Sequence, residues 1–179
     1  MRIVVSGTHA SGKSTLIADF ARRSTGFEVF PDPYELLDEA FDDPDVDVFL
    51  AQLWLAADRL VEVPAGARVI AERGPLDFVA YLDALEALGR PCAPEAVRQR
   101  GLVAAVEAMR HVDLLVVLPL STHDHIEVPE EEDPELRTAM DAALLDLVDD
   151  PVAAAETRVL ELSGPPEERL TQLVAAAAG

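Results

Sequence analysis

Short apolar runs alternate with longer stretches of helical spacing along the chain. Arg2-Ile3-Val4-Val5-Ser6 is a β-branched run that stops at Gly7 and predicts a strand. From Lys13 to about Arg23, Leu16, Ile17, Phe20 and Ala21 recur at helical spacing. Phe27–Phe30 predicts a second strand, stopped by Pro31 and Pro33. Tyr34 to Phe41 reads as a short helix, and Asp42-Asp43-Pro44-Asp45 as an acidic loop that offers an N-cap. Val46–Val63 reads as a long helix with Val46, Phe49, Leu50, Leu53, Trp54 and Ala57 along one face. Arg68–Glu72 predicts a third strand. Gly74-Pro75 opens a helix that runs to about Leu88, where Gly89 ends it. Pro94 to Arg110 is a further helix, and Asp113–Leu118 is a continuous apolar run of the kind found inside a parallel sheet. Ser121–Asp133 reads as a polar loop. Pro134–Val148 is a helix with Leu136, Met140, Leu144 and Leu147 in register. Arg158–Leu162 is a fifth strand, and Ser163-Gly164-Pro165-Pro166 leads into a last helix ending in an alanine run.

Strands alternating with helices predict an α/β fold in three layers, with a five-stranded parallel sheet covered on both faces. The 179 residues suit one domain over 1–179, and neither an internal repeat nor a linker divides them.

Composition narrows the chemistry. Lys plus Arg total 14 against 34 Asp plus Glu, a formal net charge of −20. Such a surface is a poor match for a nucleic-acid backbone or an anionic membrane. Any phosphate-bearing ligand therefore needs a small, local positive site. Cys92 is the sole cysteine, so a disulfide framework and a cysteine-based zinc site are excluded within one chain. The opening apolar run is too short for a signal peptide, and no run of roughly 18 apolar residues suggests a membrane span. A cytoplasmic setting is expected. Lys13 is the only lysine, and it falls inside the most specific motif of the chain.

That motif is Gly7-Thr8-His9-Ala10-Ser11-Gly12-Lys13-Ser14, a full match to G-x-x-x-x-G-K-[ST] placed between a predicted strand and a predicted helix. Glycines let the backbone curl so that successive N–H groups meet phosphate oxygens, and the helix start adds its positive dipole end. Gly7 to Thr15 are thus the candidate ATP phosphate-binding residues. Lys13 is placed to reach the β- and γ-phosphates, and the Ser14 hydroxyl to ligate Mg²⁺. The expected architecture is a P-loop NTPase fold.

Guanine recognition by Asn-Lys-x-Asp is excluded, because the chain has no asparagine. Pro31-Asp32-Pro33 after the second strand resembles the Pro-Glu-Pro segment of the deoxynucleoside kinases. In that family the carboxylate is the general base for the sugar 5′-hydroxyl, a role the resemblance gives to Asp32. Asp is shorter than Glu by about 1.5 Å. The other reading of Asp32 is a turn or N-cap residue between prolines. Glu72-Arg73-Gly74 resembles the family's Glu-Arg-Ser motif. The resemblance implies that Glu72 holds Mg²⁺, directly or through water, and that Arg73 contacts the acceptor hydroxyl and phosphate. Gly74 departs from the family's serine.

The stretch 119–138 corresponds to the lid of small P-loop kinases. It holds one arginine, Arg137, among many acids, and so resembles a looser group of P-loop kinase-like ATPases related to nicotinamide riboside kinases. Arg137 is the candidate lid arginine; the other reading pairs it with Asp133 or Asp141 on the helix surface. By the same resemblance, Gly164 and Pro165 lie over the adenine of ATP. Gln52 faces the base of the acceptor, in a pocket with Asp32 and Arg73, while Trp54 reads as core. His123 and His125 read as surface residues rather than a metal site, and Cys92 as inert. Arg98, Arg100 and Arg110 are further candidates for a substrate phosphate. The expected activity is ATP- and Mg²⁺-dependent phosphoryl transfer to a small hydroxyl-bearing metabolite, a nucleoside or nucleotide. The alternatives are a nucleotide-binding regulatory or adaptor ATPase and a kinase of a non-nucleoside acceptor. The resemblance also implies a homodimer.

Overall fold

The apolar runs pair side by side in one sheet. The computed structural model describes residues 1–37, 46–120, 133–155 and 157–178. The strands are β1 (Arg2–Ser6), β2 (Glu28–Phe30), β3 (Val69–Glu72), β4 (Leu114–Val117) and β5 (Arg158–Glu161). The helices are α1 (Lys13–Arg23), α2 (Val46–Glu62), α3 (Pro75–Ala87), α4 (Glu95–Met109), α5 (Pro134–Asp149) and α6 (Pro166–Ala178). The sheet order is β2-β3-β1-β4-β5, and every neighbouring pair is parallel.

Side-chain alternation along the strands builds a core on each face. Ile3 and Val5 of β1 join Leu114 and Val116 of β4 against Leu16, Ile17 and Phe20 of α1 and Leu173 of α6. Val4, Leu115 and Val117 face the opposite layer, made by α2 to α5. This is the expected three-layer α/β arrangement, with β1 central and the loop after it at the carboxyl end of the sheet. Among the described residues, no helix is long and apolar enough to cross a membrane.

Two local expectations need correction. In its described part, the short helix expected over Tyr34–Phe41 is a 3₁₀ turn over Pro33–Leu36. The Asp32 side chain accepts from the Tyr34 N–H and starts the turn, and Leu37 is already extended and ends it. Residues 38–45, including the expected acidic loop, lie outside the described residues. The second correction is Trp54, which is 38% exposed rather than core. Helix α2 packs against both α3 and α4, so its buried stripe runs through Phe49, Gln52, Leu53, Ala56, Ala57 and Leu60. Trp54 lies outside that stripe.

Gly74, at the start of α3, lies against β1. A Cβ at this position would come within 2.7 Å of Val4 Cγ1, so the Val4 side chain already fills the space that a side chain here would need. The serine found here in the resembling kinases does not fit without movement. Gly74→Ser is expected to destabilise the fold by about 1–3 kcal/mol. Urea unfolding measures this, and the loss should shrink when Val4 is also reduced to alanine.

Candidate functional site

The segment 7–12 leaves β1 and enters α1 through backbone that needs small residues. Gly7 has φ +148, and a Cβ there would lie 2.8 Å from the Leu118 carbonyl oxygen. Ala10 takes a left-handed conformation with φ +49. The side chains around this loop share one habit: cations donate to its carbonyls. Arg73 Nη1 donates to the Gly7 carbonyl at 3.1 Å, and Lys13 Nζ to that of Thr8 at 2.7 Å. Arg137 spans two, with Nε donating to the His9 carbonyl at 3.1 Å and Nη2 to that of Ala10 at 3.3 Å. Arg169 Nη1 donates to the Ser11 carbonyl at 3.1 Å. A planar trans peptide turns its N–H opposite to its C=O. The N–H groups of Thr8 to Gly12 therefore point away from the cations that hold these carbonyls, which leaves them free for an anion.

Lys13 is buried. Burial and the neighbouring Arg73 charge push its amine down from the usual lysine value to about 7. At the first turn of α1, exposed Ser14 donates its hydroxyl to Glu72 Oε1 at 2.7 Å. The two residues expected to hold a metal are thus brought together by the β1–β3 pairing. A hydroxyl beside a carboxylate is a hard-oxygen donor set suited to Mg²⁺. The buried Ser11 hydroxyl lacks a hydrogen-bond partner among the described residues, which fits a loop that is completed by a polar ligand.

Arg73 is only 6% exposed and has φ +62, a conformation that costs a non-glycine residue about 1–3 kcal/mol. Its contacts offset that strain. Nε donates to Asp32 Oδ2 at 2.8 Å, Nη1 reaches the Gly7 carbonyl, and the guanidinium lies 5.5 Å from the Tyr81 ring centroid. Burial opposes its charge, yet Tyr81, Asp32 and Asp77 together hold its pKa above the ordinary arginine value. The turn-capping reading of Asp32 holds in the geometry, and its second oxygen faces Arg73. Oδ1 caps the 3₁₀ turn and Oδ2 pairs with Arg73. A carboxylate has about four lone-pair positions, so two protein contacts leave it able to accept from a hydroxyl.

Arg137 forms no salt bridge with Asp133 or Asp141, although its charge acts on Asp141. Asp133 instead caps α5 and binds Arg90, and Arg137 reaches the phosphate loop. Of the lid-like stretch 119–138, residues 121–132, with His123 and His125, lie outside the described residues. Its end is the first part of α5, with Leu136 buried against the core. Gln52 is buried, and its amide donates to the Val48 carbonyl at 3.3 Å in its own helix. One and two turns further along that helix, Ala56 and Arg59 join Phe30, Pro33, Leu60, Ala71 and Arg73 around a shallow, open hollow. His9 and Thr15 are exposed. The Pro165 carbonyl accepts from the Glu168 and Arg169 N–H groups and starts α6. Arg98 is tied to Glu86, Glu95 and Asp83, and Arg110 to Glu107, so neither joins this cluster. Among the described residues, no group of three His, Cys, Asp or Glu side chains could hold a metal ion.

Sequence reasoning missed three residues here. Asp77 is fully buried at the third position of α3. It accepts from Ser6 Oγ at 2.5 Å, from Gly7 N–H at 2.9 Å and from Gly74 N–H at 2.8 Å, with Arg73 Nη1 3.8 Å away. Burial pushes its carboxyl up, and Arg73 with the three donors pulls it back. An acid at the third residue of a helix is a capping-box signal, so Asp77 was findable. Arg59, stacked on the Phe30 ring at 4.3 Å and donating to the Pro31 carbonyl, carried no signal, and neither did Arg169.

A family model described as AAA domain matches residues 2–169. No curated protein matches the sequence. Among solved structures, deoxyadenosine kinase from M. mycoides with bound dATP is similar at a TM-score of 0.72 and 15% identity, covering 100% of both chains. Thymidylate kinase from Candida albicans is similar at 0.64 and 17%, covering 99% of this chain and 90% of that one. NadR protein in complex with NR is similar at 0.68 and 19%, covering 98% of this chain and 50% of that one. At these identities the likeness is one of fold.

Asp77→Ala removes one carboxylate from three donors and a buried arginine. It is expected to cost about 3–5 kcal/mol of stability, read from chemical denaturation against the exposed control Asp113→Ala.

Proposed function

The chain belongs to the AAA domain family, and on that premise we propose that it is an ATP- and Mg²⁺-dependent kinase acting on a hydroxyl of a small metabolite, a nucleoside or nucleotide. The observation that carries this reading is the single guanidinium of Arg73 between the two halves of the site. It holds Asp32 on one side and the first carbonyl of the phosphate loop on the other. A base and a phosphate cradle fixed to each other are what in-line transfer needs, since misplacement by about 1 Å can cost roughly a hundredfold in rate.

In this reading the loop 7–15 holds the triphosphate through its N–H groups, and Lys13 leaves the Thr8 carbonyl to meet the β- and γ-phosphates. Ser14 and Glu72 would hold Mg²⁺, which supplies neutralisation of phosphate charge. Asp32 accepts the proton of the acceptor hydroxyl as its oxygen bonds to the γ-phosphorus and the bond to the β-phosphate oxygen breaks. Arg73 positions Asp32, and Gly164 and Pro165 lie on the base side. Gln52 belongs to the acceptor pocket, two turns above Arg59 on α2. Residues 1–179 act as one domain, with 119–138 as its lid.

A second reading, a nucleotide-binding regulatory ATPase with little transfer activity, is favoured by one observation. The Arg137 guanidinium rests on the carbonyls of His9 and Ala10, so the lid side brings its arginine to the outer side of the loop. Magnesium-ATP consumption across hydroxylated metabolites, with products read by mass, separates the two. A product heavier by one phosphoryl group supports the kinase, and binding without acceptor-stimulated turnover supports the regulator.

Three outcomes are expected. Lys13→Ala abolishes turnover while the circular dichroism spectrum stays native. Asp32→Asn lowers kcat by about 10²–10⁴-fold, with ATP affinity retained in calorimetry. Lys13 titrates near 7 in the free protein, and a bound triphosphate raises that value. Binding at pH 8 therefore takes up about one proton, and affinity falls as pH rises above 7. Calorimetry in two buffers of different ionisation enthalpy reads the uptake, which should vanish near pH 6.

A further inference from the structure

Arg169 stands in the first turn of α6, three residues after Pro166, and is only 5% exposed. It makes contacts in two directions. Its backbone N–H donates to the Pro165 carbonyl at 3.1 Å, in the turn that follows β5. Its Nη1 donates to the Ser11 carbonyl at 3.1 Å, in the phosphate loop. One residue therefore joins two segments more than 150 positions apart in the chain, a separation of 158.

We propose that Arg169 is a positioning residue that couples the base-side turn to the phosphate loop, so that the nucleobase and the phosphates of one nucleotide are gripped by a single rigid unit. The proposal rests on the nucleotide reading above and extends it to a residue outside the motif. The guanidinium fixes the Ser11 carbonyl outward and so, through peptide planarity, aims the Gly12 N–H into the loop. The same residue lies in the first turn of α6, with its N–H on the Pro165 carbonyl just before the helix. Lys13 must leave its carbonyl to meet a phosphate, whereas Arg169 keeps its contact when the loop fills. Its buried charge also adds positive potential at the loop of a chain whose net charge is −20. A loop held only at its own peptide would bind phosphates alone as well as it binds them joined to a base. A coupled unit gains more from a ligand that fills both ends.

The test is calorimetric titration of magnesium-ATP and of magnesium-tripolyphosphate into wild type, Arg169→Gln and Arg169→Lys. The glutamine variant is expected to lose about tenfold in tripolyphosphate affinity and about a hundredfold in ATP affinity. Lysine, which keeps a charged donor, recovers part of the ATP loss. A purely structural role moves both ligands by the same factor. Equal losses for the two ligands, no loss, or lysine no better than glutamine overturn the proposal. Should the glutamine variant not fold, the lysine variant carries the same comparison, with a larger loss for ATP than for tripolyphosphate expected. Wild type that binds ATP beside an unaffected variant sinks this inference alone. Wild type that binds neither ligand sinks the nucleotide reading and this inference with it.

Discussion

Five consecutive carbonyls, from Gly7 to Ser11, each accept from a cationic side chain, and the site depends on that ring of bonds. Because a peptide is planar, turning the carbonyls out turns the following N–H groups in. The four cations come from α1, the β3–α3 junction, α5 and α6. The loop conformation is thus a property of the whole domain rather than of its own glycines. The arrangement also answers the charge problem of the chain. With 34 acids against 14 bases, a phosphate would meet repulsion over most of the surface. Four of the bases are gathered at one loop, and three of them, Lys13, Arg73 and Arg169, are buried, where charge is screened least.

Asp77 is the counterweight beneath that ring. It accepts from the last residue of β1, the first of the loop and the first before α3, and it faces Arg73. A buried carboxylate is costly to dehydrate, and here three donors and a guanidinium compensate it. The strain in the Arg73 backbone is held by the same set of contacts. Asp32, on the other side of Arg73, thereby inherits its position from Asp77. The end of β2 and the loop after β1 meet through one charge-alternating row, Asp77, Arg73 and Asp32.

Much of the fold was legible along the chain. The five strands lie within a residue or so of their predicted bounds, because four are β-branched or leucine runs and β2 is a short aromatic and valine run stopped by proline. The 3₁₀ turn was not legible. Tyr34 to Phe41 has helical composition, but Asp32 caps the start of a tighter 3₁₀ turn and the extended Leu37 ends it after Leu36. Trp54 was misread because helical spacing gives a face without saying which neighbours cover it. Packing of α2 between α3 and α4 decided that.

Around the loop, the motif 7–14 stood out because phosphate chemistry demands residues of particular types at fixed spacing, and Glu72-Arg73 stood out by resemblance; the structure adds that Ser14 and Glu72 meet. Arg137 was readable as a candidate but not in its partners. Arg59 and Arg169 left no trace. Their acceptors are backbone carbonyls, which every residue carries, so a contact of this kind marks the sequence at one end only. The chain by itself determined which residues could cradle a phosphate. Only the tertiary structure decided which cations hold that cradle open, because the bonds that do so join segments far apart in sequence through groups that have no sequence identity.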